Sequence, residues 1–170
     1  QTGRVTIAYI PSKSNRYRLH ASYGTGVKNP TLTELFGSTS TFTGNPNLTP
    51  EKAKGYDAGI EFKLYNKKLK LDFTYFNRNI TDLIMGDGTT AINLSGKSPT
   101  EGLEVSLNLL VSSKVSFNAN YTFTNAKTSS GEQQRRRPRH KLFLGLNFKP
   151  SKKTAYNFNL IHNAGRVQNL

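Results

Sequence analysis

The chain has 170 residues, a formal net charge of +14, no cysteine and no tryptophan, but 8 tyrosines and 10 phenylalanines. The lack of cysteine excludes disulfides, zinc–thiolate sites and thiol nucleophiles. Hydrophobic residues make up 35% with a mean hydropathy of -0.57, and no run of about 18 apolar residues occurs, so no helix spans a membrane. A β-barrel passes that filter, because only alternate residues of its strands meet lipid. The length suits one domain or one contiguous piece of a larger one. The positive charge admits a nucleic-acid surface, or basic turns together with a charged lumen. Residues 1–5 lack a basic segment followed by an apolar one, so no signal peptide is visible, and an exported protein with this start is a mature chain or an internal portion.

Taken in chain order, the residues predict eight strands. Val5, Ile7 and Tyr9 form the first, and a short turn follows over residues 11–15. Tyr17, Leu19, Ala21 and Tyr23 alternate with Arg18, His20 and Ser22, and a long polar link runs over 28–52. Ala58, Ile60, Phe62 and Leu64 alternate with Asp57, Glu61 and Lys63, then turn at 66–68. Leu69, Leu71, Phe73 and Tyr75 oppose Lys70, Asp72 and Thr74, and a longer link is expected at 85–90. Leu103, Val105, Leu107 and Leu109 oppose Glu104, Ser106 and Asn108, then turn at 112–114. Val115, Phe117, Ala119, Tyr121 and Phe123 alternate with five polar residues, followed by a long link over 126–136. Leu142, Leu144, Leu146 and Phe148 make the seventh strand, which turns at 150–153 into Tyr156, Phe158 and Leu160.

Successive strand residues point to opposite faces, so each run gives one apolar and one polar face. Short and long connections alternate, which puts all the short ones on one edge, as in an outer-membrane barrel with tight turns on one side and loops on the other. Tyr9, Tyr17, Tyr65, Phe148 and Tyr156 lie near strand ends, which suits an interfacial aromatic girdle and equally suits ordinary strand propensity. Arg18, Asp57, Glu61, Lys63, Lys70, Asp72, Arg78, Glu104 and Lys141 all fall on the polar face. Such mixed signs fit a hydrated or plugged lumen with internal ion pairs, since unpaired charges are not tolerated in an apolar core.

The link over 28–52 has its own signals. Asn29-Pro30 and Thr49-Pro50-Glu51 read as helix starts, each with a capping side chain and proline in the first turn. Gly44-Asn45-Pro46 reads as a turn. The link is therefore expected to be compact and to fold back over the barrel mouth. Its residues also carry a family resemblance: Tyr23-Gly24, then Lys28, Pro30, Leu32, Glu34, Leu35 and Phe36, then Gly44, Asn45, Pro46, Asn47, Leu48, Pro50 and Glu51. The pattern continues through Asn77, Asp82, Leu83 and Ile84, then Asn93, Gly96, Gly102 and Glu104, and ends in the run 136–140. In these positions the chain resembles the TonB-dependent outer-membrane receptors, and within them most nearly the vitamin B12 receptor subfamily.

That resemblance implies an antiparallel transmembrane barrel of about 22 strands with a plugged lumen, of which residues 1–170 supply eight strands. It implies that the plug domain, with its TonB contact, and the final strands lie outside this chain. It further implies a receptor in the outer membrane of a Gram-negative bacterium that imports cobalamin, a ferric siderophore or haem, with lipid and lipopolysaccharide around its wall. Phe42, Asn45, Asp87 and Arg135, at the loop tips, are the expected ligand-facing residues.

No catalytic constellation is visible, and no cofactor or enzyme activity is expected. His20, His140 and His162 lack ligand partners at metal-site spacing, Asp87-Gly88 is a turn, and Gly24-Thr25-Gly26 lacks the context of a dinucleotide site. Two other readings remain open. A complete eight-stranded barrel with an adhesin or structural role suits the strand count, but not the long 28–52 link. A nucleic-acid binder would interleave aromatic and basic residues on one face, whereas here the aromatic face is nearly free of charge, so no nucleic-acid partner is expected.

Overall fold

The computed structural model describes residues 2–11, 16–38 and 40–167, so the turn expected at 11–15 lies, beyond Pro11, outside them. The strands are β1 Arg4–Tyr9, β2 Tyr17–Lys28, β3 Glu51–Leu64, β4 Leu69–Asp87, β5 Thr90–Leu110, β6 Val115–Ala126, β7 His140–Ser151 and β8 Thr154–Ala164, with one short helix, α1 Leu32–Phe36, between β2 and β3. They form a single sheet in the order β1 to β8, every pair antiparallel. All eight expected strands are present as neighbours in chain order. β1 and β8 are its two edges, so the described strands form an arc that does not close on itself. No helix among the described residues is long and apolar enough to cross a membrane, which says nothing about strands.

The register explains the two faces. Leu19, Ile60, Phe73, Val105, Tyr121 and Leu142 stand in one continuous row from β2 to β7. The neighbouring row runs Arg18, Glu61, Asp72, Ser106 and Asn120. One face is thus apolar and outward, and large side chains on it are bare: Ile7 is 66% exposed and Phe158 60%. Phe117, Tyr121, Leu144 and Phe158 share this outward face. From Leu64 to Tyr56 the band on β3 spans eight residues, or about 27 Å, close to the apolar band of about 25 Å on membrane barrels.

The opposite face is concave and carries the ion pairs anticipated for it. Glu61, almost fully buried, receives Lys70 at 2.8 Å, Lys63 at 3.3 Å and Arg18 at 3.4 Å. His20 Nε2 lies 3.0 Å from Asp72, and Arg4 lies 3.4 Å from Asp57. One apolar patch interrupts this face: Phe143 pairs with Asn120 and Ile161 with Phe143, so both belong to the polar row.

The link expected at 85–90 is corrected by the structure. β4 and β5 continue far past their neighbours, and only Gly88 and Thr89 connect them. β3 pairs with β4 as far as Thr81, beyond which β4 and β5 pair only with each other out to Asp87 and Thr90. The hairpin thus projects by six residues, or about 20 Å. Gly88 has φ 60° while Thr89 is not in the left-handed region, the signature of a type II′ turn. Just before the projecting part, still paired with β3, the polar residues Asn77, Arg78 and Asn79 fall on both faces and break the alternation that would have announced the strand in the sequence.

Candidate functional site

The loop of residues 29–50 sits on the projecting hairpin and is built from its own short-range signals. α1 starts at Thr31, two residues after the expected Asn29. Thr31 accepts from the Glu34 amide at 3.2 Å, and the Glu34 carboxylate accepts from the Thr31 amide at 2.7 Å. This reciprocal box satisfies two donors that a helix start leaves open. After α1 the chain reverses through Gly44, at φ 71°. A side chain there would meet the Leu35 carbonyl at 2.8 Å, so only glycine lets the two strands of the loop approach. Asn45 follows, and its amide donates to the Glu34 carbonyl at 2.8 Å.

No helix starts at Thr49-Pro50-Glu51, and that expectation is corrected. Glu51 is the first residue of β3 and is buried. It accepts from Lys28 Nζ at 3.0 Å and from the Ile84 amide at 3.1 Å. The acid serves the strand next door and not a helix dipole.

Three side chains then clasp the loop to the hairpin. Asn93 Nδ2 donates to the Thr49 carbonyl at 2.9 Å and to the Asp82 carbonyl at 2.7 Å, while its Oδ1 accepts from the Thr49 amide at 2.8 Å. Asn45 Nδ2 donates to the Ala91 carbonyl at 3.0 Å and its Oδ1 accepts from the Asn47 amide at 3.0 Å. Thr90 donates its hydroxyl proton to the Gly44 carbonyl at 2.8 Å. Beneath these bonds Leu48, Ile84 and Ala91 form a small buried cluster, with Leu35 and Phe42 packed against it. The bulge at Asp82, φ 57°, shifts the β4–β5 register and presents that carbonyl to Asn93.

The expected ligand-facing residues therefore separate. Phe42 is half-buried on the cluster, and both polar ends of Asn45 are occupied within the clasp. Asp87 is exposed at the hairpin tip, opposite Thr90. Arg135 is exposed on the separate β6–β7 link, next to buried Gln134. Among the motif residues, Glu34, Leu35, Gly44, Asn45, Leu48 and Glu51 hold the clasp together, while Pro30 precedes the Thr31 cap, Pro46 lies in a turn and Pro50 directly precedes β3. The role of Asn93 was legible only as one position of the resemblance.

Below the loops the concave face forms a trough of about 840 Å³. Arg4, Arg78, Arg137 and Lys141 line it, against Asp57 and Glu104. Arg4 and Ser22 already engage Asp57, which leaves Arg78, Arg137 and Lys141 against Glu104, a net positive charge. Arg137 comes from the β6–β7 link, which is tied down by the Arg136 amide on the Val167 carbonyl at 3.1 Å and by Arg139 over the Phe123 ring at 5.9 Å. Among the described residues no group of three or more His, Asp or Glu is placed to hold a metal ion.

An open antiparallel arc with an apolar outer wall, a charged concave face and loops gathered at one edge defines a segment of a membrane β-barrel. The family model of the TonB dependent receptor-like β-barrel matches residues 1–168, and the chain belongs to that family. It is 30% identical over 116 residues to an uncharacterized TonB-dependent receptor of Haemophilus influenzae, covering 61% of this chain and 33% of that protein. Its fold is similar to that of the ferric enterobactin receptor of Pseudomonas aeruginosa in complex with enterobactin, at TM-score 0.73 and 19% identity, over 96% of this chain and 28% of that one. It is similar also to the copper transporter OprC, at TM-score 0.69 and 20% identity, over 88% and 24%. The chain thus spans about a third of the curated relative and about a quarter of these solved chains.

Proposed function

We propose that this chain supplies wall and mouth to an active-transport receptor in the outer membrane of a Gram-negative bacterium. The nutrient complex is a ferric siderophore, haem or cobalamin, and energy is relayed by TonB through a plug domain inside a barrel of about 22 strands. The observation that carries this reading is the clasp. A long loop with no reactive group spends its polar side chains on fixing its own position above a cationic trough. That arrangement captures and orients a ligand and performs no bond chemistry on it. The ligand named for one similar solved structure, enterobactin on its ferric receptor, together with Arg78, Arg137 and Lys141 in the trough, favours an anionic metal chelate over a neutral cargo. A complete eight-stranded barrel would need β8 to pair with β1, and in the described sheet it does not.

The test is uptake by cells expressing the full-length gene with or without residues 38–45. Deletion is expected to abolish or strongly reduce uptake of one of cobalamin, haem or the ferric siderophores, while the barrel still assembles. Unchanged uptake of all of them by an assembled deletion variant sinks the proposal.

A further inference from the structure

The inner wall carries a bare patch directly beneath the clasp. On the concave face, next to the Lys28–Glu51 pair, Gly26 stands opposite Ala53 and Gly24 opposite Gly55. Glycine inside a strand weakens it, and marks a bulge or a place where a ligand or another backbone comes close. The β2–β3 register is unbroken, and neither Gly24 nor Gly26 has a left-handed φ, so no bulge or turn asks for them. Elsewhere on this face the glycines are filled by neighbours. A side chain at Gly59 would meet the His20 ring at 2.5 Å, and one at Gly102 the Phe76 ring at 2.5 Å. A side chain at Gly26 would have only Ala53 Cβ near it, at 4.0 Å. The space in front of Gly26 is thus used by no other described residue of the wall.

The patch is a notch with charged sides. Arg4 stands opposite Gly24 and Arg78 opposite Gly55, so one row reads Arg4, Gly24, Gly55, Arg78 and then Thr100 on β5. All five line the trough. Ser22 and Asp57 close the notch on the side away from the clasp, and Arg4 is bonded to both. Arg78 is exposed and forms no ion pair among the described residues. Thr100 is 5% exposed, and its hydroxyl has no hydrogen-bond partner among those residues. A buried hydroxyl is costly to leave so, unless a group from outside the described wall bonds to it.

We propose that this notch receives an anionic arm of the metal chelate as it descends from the mouth, with Arg78 as its counter-charge and the Thr100 hydroxyl as a donor to it. The inference rests on the receptor reading above, and adds to it a place on the wall that serves transit and not capture. A guanidinium meets carboxylate and similar paired oxygens in a fork of two bonds. The bare glycines let such an arm sink to the level of the backbone, so a bulky complex passes without displacing β2 or β3. A neutral backbone, such as a strand of the plug, would also fit bare glycines, but it leaves Arg78 uncompensated. The unpaired charge decides for an anion.

The experiment uses cells making the full-length receptor, with ferric enterobactin, ferric citrate and haem as anionic probes and cyanocobalamin as the uncharged one. Binding is read on cells without metabolic energy, and uptake on energised cells. Gly26→Trp fills the notch. It is expected to bind the anionic probe that the parent transports as well as the parent does, and to lose most of its uptake. Val27→Trp, an enlargement on the outward face of the same strand, should transport as the parent does. Arg78→Gln should lower the saturating uptake of that probe on the order of tenfold, and Arg78→Lys should restore most of it. Parent-like uptake by Gly26→Trp or by Arg78→Gln overturns the notch, as does an equal loss in Val27→Trp. Raised sensitivity of the Gly26→Trp cells to vancomycin, a molecule too large for a plugged barrel, would mean that the notch seats the plug, and overturns it too. If Gly26→Trp fails to reach the outer membrane, the two Arg78 variants decide. A parent that carries only cyanocobalamin defeats the anionic notch and leaves the receptor reading standing, whereas a parent that carries none of the probes defeats the receptor reading itself.

Discussion

Asn93 makes three hydrogen bonds to two backbone segments that no other side chain joins in this way. Replacing it by alanine leaves Thr49 and Asp82 without those partners, at a local cost of about 1–3 kcal/mol. The expected outcome for Asn93→Ala is faster proteolysis and amide exchange over residues 45–50, with the strands unaffected, as limited digestion of the receptor in detergent would show. Glu34 gives a pH-dependent companion. Burial opposes its charge, but the Thr31 amide and hydroxyl and the Lys28 ammonium outweigh that and hold its carboxyl below the usual value of 4.5. Because the folded pKa is lowered, the stabilisation is fully present above the ordinary value and fades as pH falls through the folded one. Protection of the Thr31 amide, its exchange rate corrected for the intrinsic pH dependence of amide exchange, should therefore fall on acidification below about pH 4.5, and Glu34→Gln should flatten that dependence. A protection profile of the parent protein that stays level through this range would remove Glu34 from the account.

At the scale of the strand, facing decides tolerance. Ala119 lies midway along the outward row of β6, between Phe117 and Tyr121, while Asn120 faces the concave side opposite Ser106. A positive charge at mid-band on a lipid-facing position costs about 2–4 kcal/mol. Ala119→Arg should accordingly lower the stability of the barrel in lipid vesicles by that amount, and Asn120→Arg by well under half of it, as read from urea unfolding of the full-length protein. Equal losses would mean that the faces are wrongly assigned. These faces were legible from Val115 to Phe123 alone, because a period of two survives whatever the neighbours are. The β4–β5 hairpin was not legible in the same way. Beyond Thr81 it leaves the wall, loses its lipid face, and with it the alternation that marks a strand.

For the molecule as a whole, the arc has two strands with only one neighbour each. β1 exposes Val5, Ile7 and Tyr9 at 73%, 66% and 61%, and β8 is exposed along nearly its full length. Unpaired edges of this kind template association with other chains, and an apolar outer wall adds to the tendency. The isolated chain in plain buffer is expected to be insoluble or oligomeric, as light scattering would report. A monodisperse monomer at high concentration would contradict the membrane reading of the wall.

What the sequence determined by itself was the local part: eight strands, their order and facing, and a loop whose motif announces a family. Strand period and loop motif are properties of neighbouring residues, so they need no fold to be read. What only the tertiary structure decided depends on residues far apart in the chain. Asn45 meets Ala91 across 46 positions and Thr49 meets Asn93 across 44. Phe42 and Asn45, two of the four residues expected to face a ligand, are also engaged with the hairpin, and the Glu51 of an expected helix start became the bridge between two strands. The row of Gly24, Gly55, Arg78 and Thr100 likewise exists only through pairing register. Register is set by which strands lie side by side and where a bulge interrupts them, and alternation along one strand carries no record of either.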